Sequence, residues 1–319
     1  MKKQLSLALA GLALVAGCGT TSPDGSSISA PSASANRIDE LNIGPMMGAH
    51  SVRGYGKPGG TRSANMTLHG GNIMPSSVTY AIYWGPSWNT NTAFTTDKIT
   101  GIATLLGGFG GSNYARTSTE YNGVNGVYVG TASSYLGSYV DNGAAPSGAP
   151  ATSAVQSEVC SVLAAHGVTP RTDAIYNVYA TTPRGSAGYC AWHSYGSCAG
   201  VAVQFAWYFN LDGDSGCDPA SPSSAGHSQG LSAIANVTAH EVYETITDPR
   251  NGGWYDASNG ENADKCAWSF SPNNNGLVTL SNSSTWKLQM EWSNKAFTAS
   301  SGYANRNGQL ACLDGVVKF

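Results

Sequence analysis

The stretch Thr238, Ala239, His240, Glu241, Val242, Tyr243, Glu244, Thr245, Ile246, Thr247, Asp248, Pro249 decides how this chain is read. Apolar residues keep a helical spacing from about Leu231 onward, and the helix must stop at Asp248 and Pro249. Proline has no N–H for the ladder and disfavours a helical residue before it. The expected helix therefore runs from about Leu231 to Thr247. On it His240 and Glu244 stand one turn apart on one face, a spacing that lets two side chains grip one ion. Glu241 lies beside them. In the related H-E-x-x-H pattern the middle glutamate is the general base of hydrolysis; here Glu244 replaces the second histidine.

A third ligand must come from elsewhere. Glu261 follows in the same acidic stretch, with Asp264 one turn further on as a residue to orient a ligand. His193 is the other candidate. One imidazole and two carboxylates make the site neutral with Zn²⁺, and so oxygen-rich a set also suits Mn²⁺ or Ca²⁺. The competing interpretation is plain: His240, Glu241 and Glu244 form the solvated face of a surface helix.

Outward from this helix, the residues Val78 to Trp84 alternate β-branched and aromatic side chains and are expected as a strand. Helices are expected over Phe94 to Phe109 and Ala154 to His166, and strands over Val124 to Tyr128, Ala174 to Tyr179 and Val201 to Phe209. A polar loop covers 211 to 227. A short helix near Glu261 to Cys266 and strands at Gly276 to Leu280 and Trp286 to Trp292 complete the series. Such an order suits an α+β domain on a mixed sheet with a C-terminal β and loop region.

The N-terminus has Lys2 and Lys3, an apolar stretch from about Leu5 to Ala16, and then Val15, Ala16, Gly17, Cys18. That is the pattern of a lipoprotein signal peptide over 1–17, with Cys18 as the lipidated residue. Residues 18–65, rich in Ser, Ala, Gly and Pro, are expected as a tether, and 66–319 as the globular domain. The expected location is the cell envelope, lipid-anchored at the outer membrane or cell surface, with the membrane as partner through the lipid. Cleavage after Gly17 takes the formal charge from −3 to −5. No Lys/Arg cluster follows, which argues against a nucleic-acid partner.

Cys18 aside, six cysteines remain, an even number that in an exported chain favours disulfides. Of the possible pairings, Cys266 with Cys312 is expected to close the C-terminal strands. Other signals are weaker. His69 before Gly70 and Gly71 suits a turn or a contribution to the cleft, and His227 the start of the long helix. Asp212, Gly213, Asp214 lacks the full spacing of a calcium loop. Tyr and Trp side chains would fill a core or line a groove for wall polymer.

Taken together, these residues resemble the EXORDIUM, or phosphate-induced protein, family of exported proteins found in plants and bacteria. The likeness lies in His69 to Gly71 before the strand ending Tyr83, Trp84, Gly85, in Cys190 and His193, and above all in the block from Ala239 to Glu244. It continues through Thr247, Pro249, Trp254, Tyr255, Glu261, Asp264 and Cys266 to Leu288, Gln289 and Trp292. The chain differs in having Asp248 where plant members commonly carry Asn, and in a shorter cysteine-rich middle. The resemblance implies an extracellular, envelope-associated role without a defined activity. The H-E-x-x-E helix with a downstream glutamate is also similar to the gluzincin metallopeptidases, implying a zincin-like domain. The expectation is a metal-dependent, peptidase-like hydrolase with His240, Glu244 and Glu261 on zinc and Glu241 as base. The alternative is a non-catalytic wall-polymer-binding protein in which the same residues hold a structural ion or a hydrogen-bond network.

Overall fold

The computed structural model describes residues 43–54, 65–219 and 225–316. The signal segment and Cys18 lie outside the described residues. Nine elements position the site: β1 (Ser77–Trp84), α1 (Lys98–Phe109), β2 (Ser133–Asp141), α2 (Thr152–Ala165), β3 (Ala174–Pro183), β4 (Ala191–Cys198), β5 (Val201–Asn210), α3 (Gln229–Thr247) and α4 (Asn262–Lys265). The strands form one mixed sheet in the order β2-β1-β3-β5-β4. β2, β1, β3 and β5 are parallel, and β4 alone runs antiparallel, beside β5. β3 and β5 are buried almost throughout because both of their faces are covered, so they read as near-continuous apolar runs. The protein is thus α+β.

α1 buries Ile102, Leu105, Leu106 and Phe109, and α2 buries Val155, Val159, Val162 and Leu163. These are the faces that helical spacing requires. α2 also carries Glu158, whose carboxyl burial and the neighbouring Asp141 push up to about 8. The folded state therefore holds that proton above the unfolded carboxylate range, and stability falls as pH rises from about 4.5 through 8. Glu158→Gln is expected to flatten that decline in a series of thermal melts at increasing pH.

α3 is the centre of the molecule. Ser228 caps it by accepting a hydrogen bond from the Leu231 N–H, and Asp97 in turn accepts from the Ser228 hydroxyl. From Gly230 to Thr247 every residue is buried. One side packs on β4 and β5, the other on α4 and the C-terminal segment. That removes the surface-helix interpretation, because Asn236, Thr238, His240, Glu241 and Glu244 are all 0% exposed.

Two short antiparallel strands, β6 (Glu291–Trp292) and β7 (Leu310–Leu313), close the C-terminal region. Cys266 bonds Cys312 there, as expected, and Cys160–Cys198 and Cys190–Cys217 complete three disulfides. Among the described residues, no helix is long and apolar enough to cross a membrane.

Several elements differ from expectation. The helix expected at 94–109 breaks at Thr96, whose φ is 41°, and beyond the break Lys98 pairs with Asp212 at 2.6 Å. Residues 124–128 form a turn around Gly126, φ 74°, rather than a strand. The strand expected over 286–292 splits into Thr285–Lys287 and β6. β2 and β4 were not foreseen. Finally, 43–54, assigned by composition to the tether, lies along β4. Met47 N–H donates to the His193 carbonyl (2.9 Å), His193 N–H to Met47 (3.2 Å) and His50 N–H to Ala191 (3.1 Å). Met47 and Val52 are buried in doing so.

Candidate metal centre

α3 brings His240, Glu241 and Glu244 into the interior, β4 supplies His193, and the start of α4 supplies Glu261 and Asp264. The structure sorts them into two groups that share Glu244. In one, His240 Nε2 lies 3.0 Å from Glu244 Oε1 and 3.8 Å from Asp264 Oδ1. In the other, His193 Nε2 lies 3.3 Å from Glu261 Oε1 and 3.9 Å from Glu244 Oε2. Donors bound tetrahedrally at zinc distances stand roughly 3.3–3.6 Å apart. Both groups lie close to that spacing. The triad expected from the sequence, His240, Glu244 and Glu261, straddles the two: Asp264 joins His240, while Glu261 faces His193.

The chemistry of the donors fits a cation. Burial holds the His193 imidazole down to about 4 and that of His240 to about 3, so both rings are neutral, as metal ligands must be. The carboxyls of Glu241 and Glu244 are pushed well up by burial, and the charges acting on them are other carboxylates, Asp264 and Glu261. Oε2 of Glu244 has no hydrogen-bond partner, and Glu241 and Nε2 of His240 have no side-chain partner, their nearest polar backbone groups being those of His50 and Gly48. His240 Nε2 is close to Glu244 Oε1 yet off the direction of a ring N–H bond, so proximity there is not a hydrogen bond. Orphaned buried acceptors cost about 1–3 kcal/mol each, more when charged, and a divalent ion would satisfy several at once.

Gln289 orients the ring of His240. Its Nε2 stands 3.0 Å from His240 Nδ1 and donates to the Ala263 carbonyl at 2.9 Å, while its backbone N–H donates to Asn236 Oδ1 at 2.8 Å. An ion on Nε2 places the ring proton on Nδ1, so Gln289 must then turn its amide oxygen to the ring and give up its bonds to the Ala263 carbonyl and the Trp268 N–H.

Residues 43–54 roof the site. His50 stacks on His240 with ring centres 4.0 Å apart, and Trp268 lies tilted against the same His50 ring at 4.5 Å while donating to the Ser51 carbonyl. Gly48 has φ 51°, and a Cβ there would lie 1.9 Å from Glu244 Oε2 and 2.7 Å from His193 Nε2. Only glycine fits without displacement. Gly48→Val is accordingly expected to destabilise by about 1–3 kcal/mol through overpacking, a lowered melting temperature being the readout.

The sequence did not single out Gly48 and His50, which sit within a small-residue run. Their signal was the cluster Ile43, Met46, Met47, His50, Val52, too large and apolar for a tether. Other signalled residues have local partners. His69 stacks on Tyr255 and lines a separate open cleft of about 750 Å³ with Asn72, Gln204 and Arg250. His227 stacks on Trp286, and Asp214 pairs with Arg184 at 2.6 Å. Comparison with family models, with curated proteins and with solved structures finds no match.

Proposed function

We propose that the protein is a metal-dependent hydrolase of the peptidase type, working at the cell envelope where a lipid on Cys18 would hold it. The observation that carries this is the fully buried set His240, Glu241 and Glu244 on α3, several of whose polar atoms lack side-chain partners. His240, Glu244 and Asp264 would hold the ion that acts in catalysis. Asp264 retains 16% side-chain exposure, so this group keeps a side toward solvent, whereas catalytic sites need an open position. Zinc is the proposed ion, with manganese or calcium as alternatives for so many carboxylates. Bound there, it would polarise a scissile carbonyl as a Lewis acid.

The chain's own groups do the rest. Glu241, its carboxyl raised by burial and by Asp264 and Glu261, is suited to take a proton from the attacking water and return it to the leaving amine. Gln289 keeps His240 in place. The antiparallel edge strand beside α3 and the helix-borne motif support a zincin-like arrangement within the α+β fold. The roof over the site favours a second reading, in which the ion is structural and the protein binds wall polymer without turning it over.

The test is a peptide-cleavage assay with the full chain and mixed peptide substrates. Turnover that chelation abolishes and zinc restores supports the hydrolase; no cleavage by a protein that carries its ion supports the structural-ion reading.

A further inference from the structure

The proposed function uses one of the two donor groups. The other, His193, Glu244 and Glu261, is more deeply enclosed: the relative exposures are 0%, 0% and 3%. It is independent of the first in its histidine, its second carboxylate and the oxygen of Glu244 that it uses. Oε1 of Glu244 faces His240, while Oε2 faces His193, has no hydrogen-bond partner and is fully buried.

Geometry makes the same point: Glu261 Oε1 and Glu244 Oε2 stand 3.3 and 3.9 Å from His193 Nε2, so three buried donor groups converge on one place. Above the group lies Gly48, whose backbone approaches Glu244 Oε2 and His193 Nε2 so closely that a Cβ there would clash with both.

We propose that the centre is dinuclear: a second divalent ion, zinc or manganese, sits on His193, Glu244 and Glu261, and Glu244 bridges it to the ion on His240 and Asp264. This rests on the metal-dependent reading above. In two-metal hydrolytic sites the ions stand about 3.5–4 Å apart, a distance one carboxylate spans. The two ions differ in surroundings. The inner one is closed in beneath Gly48, and the outer one is open through Asp264. The inner ion is therefore expected to exchange slowly and the outer one quickly. Its role would be to hold Glu244 and to neutralise Glu261, leaving substrate to the outer ion.

The experiment is zinc stoichiometry of the full chain by equilibrium dialysis and elemental analysis, with circular dichroism to confirm folding. Two zinc ions per chain are expected, with one released to chelator at least tenfold more slowly than the other. His193→Ala and Glu261→Gln should each bind one, and so should His240→Ala; the isosteric Glu261→Gln guards against a folding failure of His193→Ala. A wild-type plateau at one ion, unchanged in Glu261→Gln, would overturn the dinuclear proposal and leave the single-ion reading intact. No zinc in the wild-type protein would sink both. Cobalt loading gives a second readout: two bridged Co²⁺ ions should show a magnetically coupled signal in the wild type that Glu261→Gln loses.

Discussion

Glu244→Gln is expected to bind no zinc and to gain no thermal stability from it. Glu244 is the residue both donor groups share, so its loss removes one ligand from each. The wild-type chain at an ion concentration 1,000 times its Kd should gain about 4 kcal/mol of folding stability by mass action. The variant should gain nothing, and its affinity should fall well beyond the roughly 10–100-fold cost of losing a residue that merely orients a ligand. The ion-free proteins should behave in the opposite way. In wild type without an ion, burial and nearby carboxylates raise the Glu244 carboxyl, so the folded chain keeps a proton that the unfolded chain releases near neutral pH. Stability is then highest below the unfolded carboxylate range and is lost as pH rises. Replacing that carboxyl by an amide removes the penalty, and the ion-free variant should be as stable as wild type or more so at neutral pH. Ion-loaded wild type should instead weaken as pH falls, because protons compete with the ion for the same donors. Thermal melts across pH, with and without zinc, read out both slopes.

Glu241→Gln should separate catalysis from binding. The side chain is fully buried and is not in either donor group, so the variant should keep its fold and its ion content. An amide cannot take up a proton, and the turnover of peptide substrate should drop by about 10²–10⁴-fold with little change in KM. An unchanged rate would show that Glu241 is not the base. If neither protein cleaves peptide while both hold their ion, the residue's place in the interior is structural.

What the sequence made legible follows from how local each signal is. Apart from its start at Gln229 under the Ser228 cap, α3 was legible from Leu231 to its end, because the periodic apolar positions and Pro249 act within a few residues. So were β1, β3 and β5, whose buried faces demand Val, Ile and aromatics. The residues of the site were found as well, since His240, Glu241 and Glu244 sit within one helix turn. Their grouping was not. Whether Glu261 or Asp264 meets His240 depends on how α4 docks on α3, a tertiary fact with no spacing to announce it. β4 was missed because Ser194, Gly196 and Ser197 dilute its alternation, although it carries His193. The roof was missed for a related reason: residues 43–54 gain their order from pairing with β4, which composition alone does not register. Two of the three residues in the His240 group thus lie on one helix, and the rest of the candidate site is set by packing.

The central claim is that the buried imidazoles and carboxylates around Glu244 hold a divalent ion. A crystal of the full chain grown with zinc, with anomalous diffraction measured on both sides of the zinc absorption edge, addresses it directly. The account predicts anomalous peaks within about 2.0–2.2 Å of the imidazole Nε2 of His240 and of His193, with Glu244 oxygens on both. Featureless density between those side chains, with each imidazole hydrogen-bonded to a carboxylate, would contradict it.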